Sequence, residues 1–77
     1  MVMYEFRTQR YMFAANRIMG NYIRHNYQEP ERSKALNQVK MYRRGSKLAI
    51  GNLSPSTLED VLFKKDIPFR RVKKNRR

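Results

Sequence analysis

Apolar residues recur at helical spacing over residues 4–27, which predicts a first, amphipathic helix there. Its apolar side chains fall in one arc of about 140°, with Met12 at the margin; the others are Tyr11, Ala15, Ile18, Met19, Tyr22 and Ile23. Arg10, Arg17 and Arg24 recur every seven residues on nearly the opposite side. They form either an ordinary solvated face or a basic ridge that contacts phosphates.

A second helix is predicted over residues 30–44. Pro30 suits the first helical turn, where its missing N–H is not needed, and Gly45 suits the position just after a helix. An apolar stripe runs along it, made of Ala35, Leu36, Val39 and Tyr42. The next segment, residues 46–52, is short and mixed, and it fits either a brief strand or one or two helical turns.

A third helix is predicted over residues 54–65, because Ser54 is a favourable N-cap and Pro55 a favourable first helical residue. Pro68 disfavours a helical conformation in the residue before it, so the helix ends earlier. Apolar and basic residues then alternate, which predicts a short strand near 68–73. The expected fold is mainly α: a small three-helix domain with a short strand or wing.

The chain has 77 residues, and we expect residues 1–77 to form one small basic domain with a flexible cationic tail at 73–77. It has no cysteine and one histidine, His25, so neither a disulfide framework nor a metal site is predicted, and no cofactor. Glu59 and Asp60 are neighbours on a helix and point about 100° apart, which is poor for paired acid–base work. No phosphate-binding loop occurs, and we do not expect an enzyme.

The net charge of +12 dominates the composition and predicts attraction to polyanions. Hydrophobic residues make up 40% of the chain, which is too many for a disordered basic segment. No apolar run approaches the length of a membrane span, and the first ten residues lack the apolar centre of a secretory signal. We therefore expect a protein of the cytoplasm, or of the host cytoplasm if a phage encodes it.

Cations are dense within residues 64–77, where only Asp66 opposes them. They are Lys64, Lys65, Arg70, Arg71, Lys73, Lys74, Arg76 and Arg77. Such a cluster neutralises phosphates and gives an affinity that falls steeply with salt; the alternative is a solubilising tail. Arg10, Arg17 and Arg24 offer a second line of contact. Of the interleaved aromatic residues, Phe13 lies off the apolar arc and is the candidate for exposure.

Residues 53–77 resemble the helix-turn-helix and following strand of phage excisionases and mercury-resistance-regulator-type DNA-binding domains. The residues that fit are Ser54, Ser56, Thr57, Leu58, Val61, Leu62, Ile67, Pro68, Arg71 and Val72. The resemblance implies a winged helix-turn-helix in which residues 54–65 lie in the major groove and residues 70–74 contact the adjacent backbone or minor groove.

In this arrangement Ser54, Ser56 and Thr57 would contact phosphates from the start of the helix, where exposed N–H groups and hydroxyls suit that role. Glu59 and Asp60 depart from the pattern, because an acid repels phosphate. The leading hypothesis is a small nucleic-acid-binding protein, with DNA favoured over RNA: a DNA-binding regulator or accessory factor of phage or mobile-element type.

Two other hypotheses stay open. A cationic protein can bind an acidic host protein, such as RNA polymerase or a nuclease, and inhibit it, since arginine and aromatic residues are enriched at interfaces. A ribosome-associated RNA-binding protein is the third hypothesis. The apolar arc of the first helix could cover the C-terminal segment or a second copy of the chain, so a homodimer is also left open.

Overall fold

The computed structural model describes residues 2–72, which form three helices and a four-stranded antiparallel sheet. In chain order the elements are β1 (Met3–Glu5), α1 (Gln9–Asn26), α2 (Glu31–Gln38), β2 (Lys40–Tyr42), β3 (Lys47–Ala49), α3 (Pro55–Lys64) and β4 (Arg70–Arg71). The strand order is β2-β3-β1-β4. The first strand of the chain therefore lies inside the sheet, between β3 and β4.

The register of the strands assigns each side chain to one of two faces of the sheet. Tyr4 on β1 lies opposite Leu48 on β3 and Arg71 on β4, and Met41 on β2 also lies opposite Leu48. Tyr4 and Leu48 are fully buried and pack against α1 and α3, so this face is the helix-covered face. The outer face carries the alternate residues, Tyr42, Lys47, Glu5 and Arg70 in one row and Lys40, Ala49 and Met3 in the next.

Helix α1 begins later than the apolar pattern predicted. Residues 3–5 are strand β1, and the side chain of Thr8 accepts a hydrogen bond from the backbone N–H of Tyr11, which caps the helix. The predicted arc is buried at Ala15, Met19 and Ile23 and also at Met12, placed at its margin, whereas Ile18 and Tyr22 are half-buried and Tyr11 is exposed. The predicted start at residue 4 was wrong because Tyr4 and its neighbours pair with two strands distant in sequence.

Helix α2 is also shorter than predicted, since it ends at Gln38 instead of residue 44. Val39 adopts an extended conformation, and the three residues after it pair with β3. Gly45, predicted to follow the helix, instead lies in the turn between β2 and β3 with a φ of 82°. The apolar stripe does not extend the helix because the backbone groups of β2 find partners in the sheet.

Helix α3 follows the prediction closely, with Ser54 as the N-cap and Pro55 as its first residue. The segment 46–52 contains a brief strand, β3, as one of its two expected alternatives. After α3 the backbone N–H of Ile67 bonds to the carbonyl of Leu62, and β4 then forms within the predicted strand 68–73. The predicted three helices are confirmed, whereas most of the sheet was not predicted, so the fold is a small domain of helices and sheet together.

The hydrophobic core lies between the helix-covered face and helices α1 and α3. Its buried cluster comprises Tyr4, Phe6, Met12, Ala15, Met19, Leu48, Ile50, Leu58 and Leu62. Leu53, half-buried, packs against this cluster next to the start of α3. Across residues 2–72, no helix combines the length and the apolar character that a membrane crossing requires.

Candidate nucleic-acid interface

Arg71, a predicted phosphate ligand, lies on the helix-covered face and pairs with Glu59 of α3. Its Nε donates a hydrogen bond to Oε2 of Glu59 at 2.5 Å, and the hydroxyl of Tyr4 donates to the same oxygen at 2.7 Å. Burial raises the pKa of Glu59, but the hydrogen bonds from Arg71 and Tyr4 outweigh it and hold the pKa below its usual value. The charge of Arg71 is therefore compensated within the protein.

Two other predicted cations have acidic partners. Arg70 Nη2 lies 2.6 Å from Oε1 of Glu5, and this hydrogen bond lowers the pKa of the Glu5 carboxyl. Lys64 Nζ lies 3.4 Å from Oδ2 of Asp60, one helical turn earlier. Both pairs are exposed, so phosphates could still reach these cations. Their charge is nevertheless locally offset, which weakens their attraction for a polyanion.

The start of α3 carries a cluster of hydroxyls. The Thr57 hydroxyl donates to Ser54 Oγ at 3.1 Å, and the Ser54 and Ser56 hydroxyls are 3.4 Å apart. Their role as phosphate contacts stays a prediction. One turn further along, Asp60 and Lys64 occupy the exposed side of the helix, so its outward side carries no surplus of positive charge there. Lys65, which follows the helix, is exposed.

The three arginines of α1 are exposed, and none of them forms an ion pair with an acid among residues 2–72. At a helical rise of 1.5 Å per residue, Arg10, Arg17 and Arg24 follow one another at intervals of about 10 Å and span about 21 Å. Nη1 of Arg24 donates a hydrogen bond to Oδ1 of Asn21 at 3.2 Å, which orients its guanidinium. These side chains form a ridge with uncompensated positive charge.

The turn between β2 and β3 brings further cations to this ridge, and the sequence reasoning missed it. Gln9 Nε2 donates to the backbone carbonyl of Arg43 at 3.1 Å, and the Arg43 guanidinium carbon lies 5.6 Å from the centre of the Phe13 ring. Phe13 is 39% exposed, as its position off the apolar arc suggested. The one local signal was the run Arg43-Arg44-Gly45-Ser46, which is also typical of a turn between two strands.

We call the combined region the α1–hairpin surface; it comprises Arg10, Phe13, Arg17, Arg24, Arg43 and Arg44. Beside it runs a cleft of about 430 Å³ between α1 and α2, lined by Asn16, Arg17, Gly20, Arg24, Leu36 and Val39. Because two of the arginines border this cleft, their charge faces a concave strip. An extended polyanion can lie along such a strip and contact several cations at once.

The remaining predicted ligands, Lys73, Lys74, Arg76 and Arg77, lie outside the described residues. Among residues 2–72, the predicted cations therefore fall into two groups. Arg70, Arg71 and Lys64 have acidic partners, whereas Lys65 and the three arginines of α1 form no ion pair. Comparison with protein-family models, with curated proteins and with solved structures finds no match to this chain.

Proposed function

We propose that this chain is a nucleic-acid-binding protein that holds the phosphate backbone of its ligand on the α1–hairpin surface. The observation that carries the proposal is the concentration of cations there without acidic partners among residues 2–72. Arg70, Arg71 and Lys64, by contrast, are offset by neighbouring carboxylates. A polyanion therefore gains most by contacting α1 and the β2–β3 turn.

Binding would follow from charge neutralisation and from guanidinium geometry. Each arginine that contacts a phosphate releases condensed counterions, and its planar fork can donate two parallel hydrogen bonds to the phosphate oxygens. Helix α1 has no acid in its first turn, so the positive end of its dipole adds to the field of Arg10. The net charge of +12 attracts the ligand from a distance.

A second candidate function keeps the winged helix-turn-helix resemblance, with α3 in the major groove and β4 as the wing. Its support is the start of α3 at Ser54 and Pro55 and the short strand after Pro68. The Asp60–Lys64 pair on the outward side of α3 leaves little net charge for phosphates. We therefore favour α1 over α3 as the backbone-binding helix of a DNA-binding regulator or accessory factor.

The experiment measures binding of the purified protein to labelled duplex DNA and to structured RNA over a salt series, with a polyanion competitor. Arg17→Gln should reduce the slope of log affinity against log salt by about 0.9 on duplex DNA, the change expected for one lost phosphate contact. Lys64→Gln removes the same charge and is the matched control, with an expected slope close to that of the wild type. Equal slopes for Arg17→Gln and the wild type would contradict the proposal, because Arg17 is the middle arginine of the ridge and borders the cleft.

The competitor separates this proposal from the binding of an acidic protein. Excess DNA of unrelated sequence titrates a nucleic-acid binder away from labelled nucleic acid. It leaves a shape-matched complex with an acidic protein intact, since such a complex also depends on buried apolar and aromatic contacts. Duplex binding that survives the competitor would indicate sequence readout and would favour a regulator over an accessory factor that reads only the backbone.

A further inference from the structure

The outer face of the sheet and helix α2 enclose a groove of about 330 Å³ on the β2 side of the molecule. The groove is lined by Lys34, Asn37 and Gln38 from α2 and by Lys40, Tyr42 and Ala49 from the sheet. Lys40 and Tyr42 alternate along β2 and therefore point to the same face. The groove is distinct from the α1–α2 cleft, which is lined by the opposite side of α2.

The groove has an aromatic residue, Tyr42, on its floor and a fixed wall. Tyr42 lies opposite Lys47 in the register and is 46% exposed, whereas Ala49, opposite Lys40, adds only a methyl group to the floor of the groove. The wall is fixed where Gln38 packs on Gly51: a Cβ on that glycine would lie 1.8 Å from Oε1 of Gln38. The same Oε1 accepts a hydrogen bond from the backbone N–H of Asn52 at 2.9 Å.

The groove combines three kinds of group that suit one class of ligand. Tyr42 offers an exposed aromatic face, Asn37 offers an amide with donors and an acceptor, and Lys34 and Lys40 offer positive charge. Within the described range, residues 2–72, no acidic residue lines it. An unpaired nucleotide presents the complementary groups: a flat base to stack, base edges that bond to amides, and phosphates. A duplex conceals the base faces and matches only the cations.

We propose that this groove binds an unpaired nucleotide of single-stranded nucleic acid, with the base stacked on Tyr42 and the flanking phosphates near Lys34 and Lys40. The inference rests on the proposed function, to which it adds the class of ligand. The α1–hairpin surface supplies affinity for phosphates in any nucleic acid, whereas the groove adds affinity only where a base is exposed. Single strands, or duplexes with a bulge or loop, are therefore the preferred ligands.

The test compares two labelled oligomers of ten nucleotides, one of thymidylate and one with an abasic residue at every position, at fixed salt. The two carry the same phosphates, so a difference in affinity reports contacts to bases. We expect the wild type to bind the thymidylate oligomer about 5- to 150-fold more tightly, the range for one stacked base. Tyr42→Ala should abolish that difference, and Tyr42→Phe should retain it because the ring remains.

Phe63→Ala is the matched control, since Phe63 is 69% exposed and lies on α3, away from the groove. It should preserve the preference for bases. Equal binding of both oligomers by the wild type would overturn the inference while leaving phosphate binding intact. A preference that persists in Tyr42→Ala, or that disappears equally in Phe63→Ala, would overturn the assignment to this groove. Binding to neither oligomer nor to duplex would overturn the proposed function as well.

Discussion

Glu59 accepts hydrogen bonds from the hydroxyl of Tyr4 and from Nε of Arg71 on the same oxygen, Oε2, at 2.7 and 2.5 Å. The three residues belong to α3, β1 and β4, so one carboxylate joins a helix to two strands of the sheet. Glu59, which departs from the pattern of a DNA-reading helix, is therefore bonded to two residues of the protein itself. Its charge stabilises the attachment of β4 and is not presented alone to a ligand.

Tyr4→Phe tests the contribution of this carboxylate to stability. The phenyl ring can fill the buried site, but Glu59 loses a hydrogen bond, and a bond to a charged group contributes about 1.5 kcal/mol. We expect the melting temperature to fall by about 6–12 °C for a domain of this size. Thermal unfolding followed by circular dichroism measures it. Tyr11→Phe is the control, and an equal loss in both variants would contradict the role of the Tyr4 hydroxyl.

Acid should destabilise the protein through the same carboxylate. The pKa of Glu59 in the folded state lies below its ordinary value of 4.5, so the unfolded chain binds more protons in the window between the two values. The stabilisation is therefore present above about pH 4.5 and is lost as the pH falls through the folded-state pKa. Glu5, whose pKa is lowered by Arg70, acts in the same direction.

Urea unfolding between about pH 5 and pH 3 measures this loss. The free energy of unfolding of Glu59→Gln should change less with pH over that range than the wild type does, because the variant lacks the titrating group. Parallel curves for the two proteins would show that other carboxylates account for the acid sensitivity.

Alanine should have opposite effects at two glycines. Gly20 lies within α1, and among residues 2–72 a Cβ there would meet only the far end of the exposed Arg24 side chain, at 3.4 Å. Gly20→Ala should therefore raise the free energy of unfolding by about 0.5–1 kcal/mol. Gly51 has a φ of 58°, and its Cβ would overlap Oε1 of Gln38. Gly51→Ala should lower the free energy of unfolding by at least about 1 kcal/mol.

Chemical unfolding of both variants and of the wild type measures the free energy of unfolding and tests both predictions. A loss of stability in Gly20→Ala would indicate that Arg24 cannot move away from the helix. Wild-type stability in Gly51→Ala would show that the turn after β3 relaxes without cost, and the fixed wall of the outer-face groove would then lose its support.

Phe13→Leu should weaken nucleic-acid binding with little effect on folding. Leucine keeps apolar contact, but it removes the ring beneath the Arg43 guanidinium, an interaction of about 0.5–1 kcal/mol at an exposed site. With Arg43 less well positioned, we expect affinity for duplex DNA to fall about 2- to 5-fold. Fluorescence anisotropy measures the affinity. An unchanged affinity would show that the β2–β3 turn is not part of the binding surface.

The sequence predicts α3 well because its signals are local. An N-cap at Ser54, Pro55 in the first turn and Pro68 beyond the end define the helix within one residue at each side. Helices α1 and α2 were predicted too long for a shared reason. The residues that precede Gln9 and follow Gln38 continue an apolar pattern that fits a helix, yet both segments form strands. Strand β1 pairs with strands far away in the chain, and β2 pairs with β3 across a turn.

The sequence predicted that the candidate site would be a basic surface, but not where most of that surface lies in the fold. Composition and the seven-residue repeat of Arg10, Arg17 and Arg24 indicate a basic surface, and these residues are exposed. The pairing of Arg71 with Glu59 and the contact of Arg43 with Phe13 depend on the sheet and on helix packing. Because most of that sheet was not predicted, neither relationship could be inferred from spacing along the chain.

The two edges of the sheet differ in sequence but share one property. Strand β4 has two residues, both arginine, and β2 has three residues, begins at Lys40 and leads into a turn with two more arginines. Short edges with long charged side chains are poor templates for the backbone of another chain, because an incoming strand finds few open hydrogen-bonding groups and must displace those side chains. The shortness of the two edge strands and their long charged side chains therefore protect the sheet from edge-to-edge aggregation.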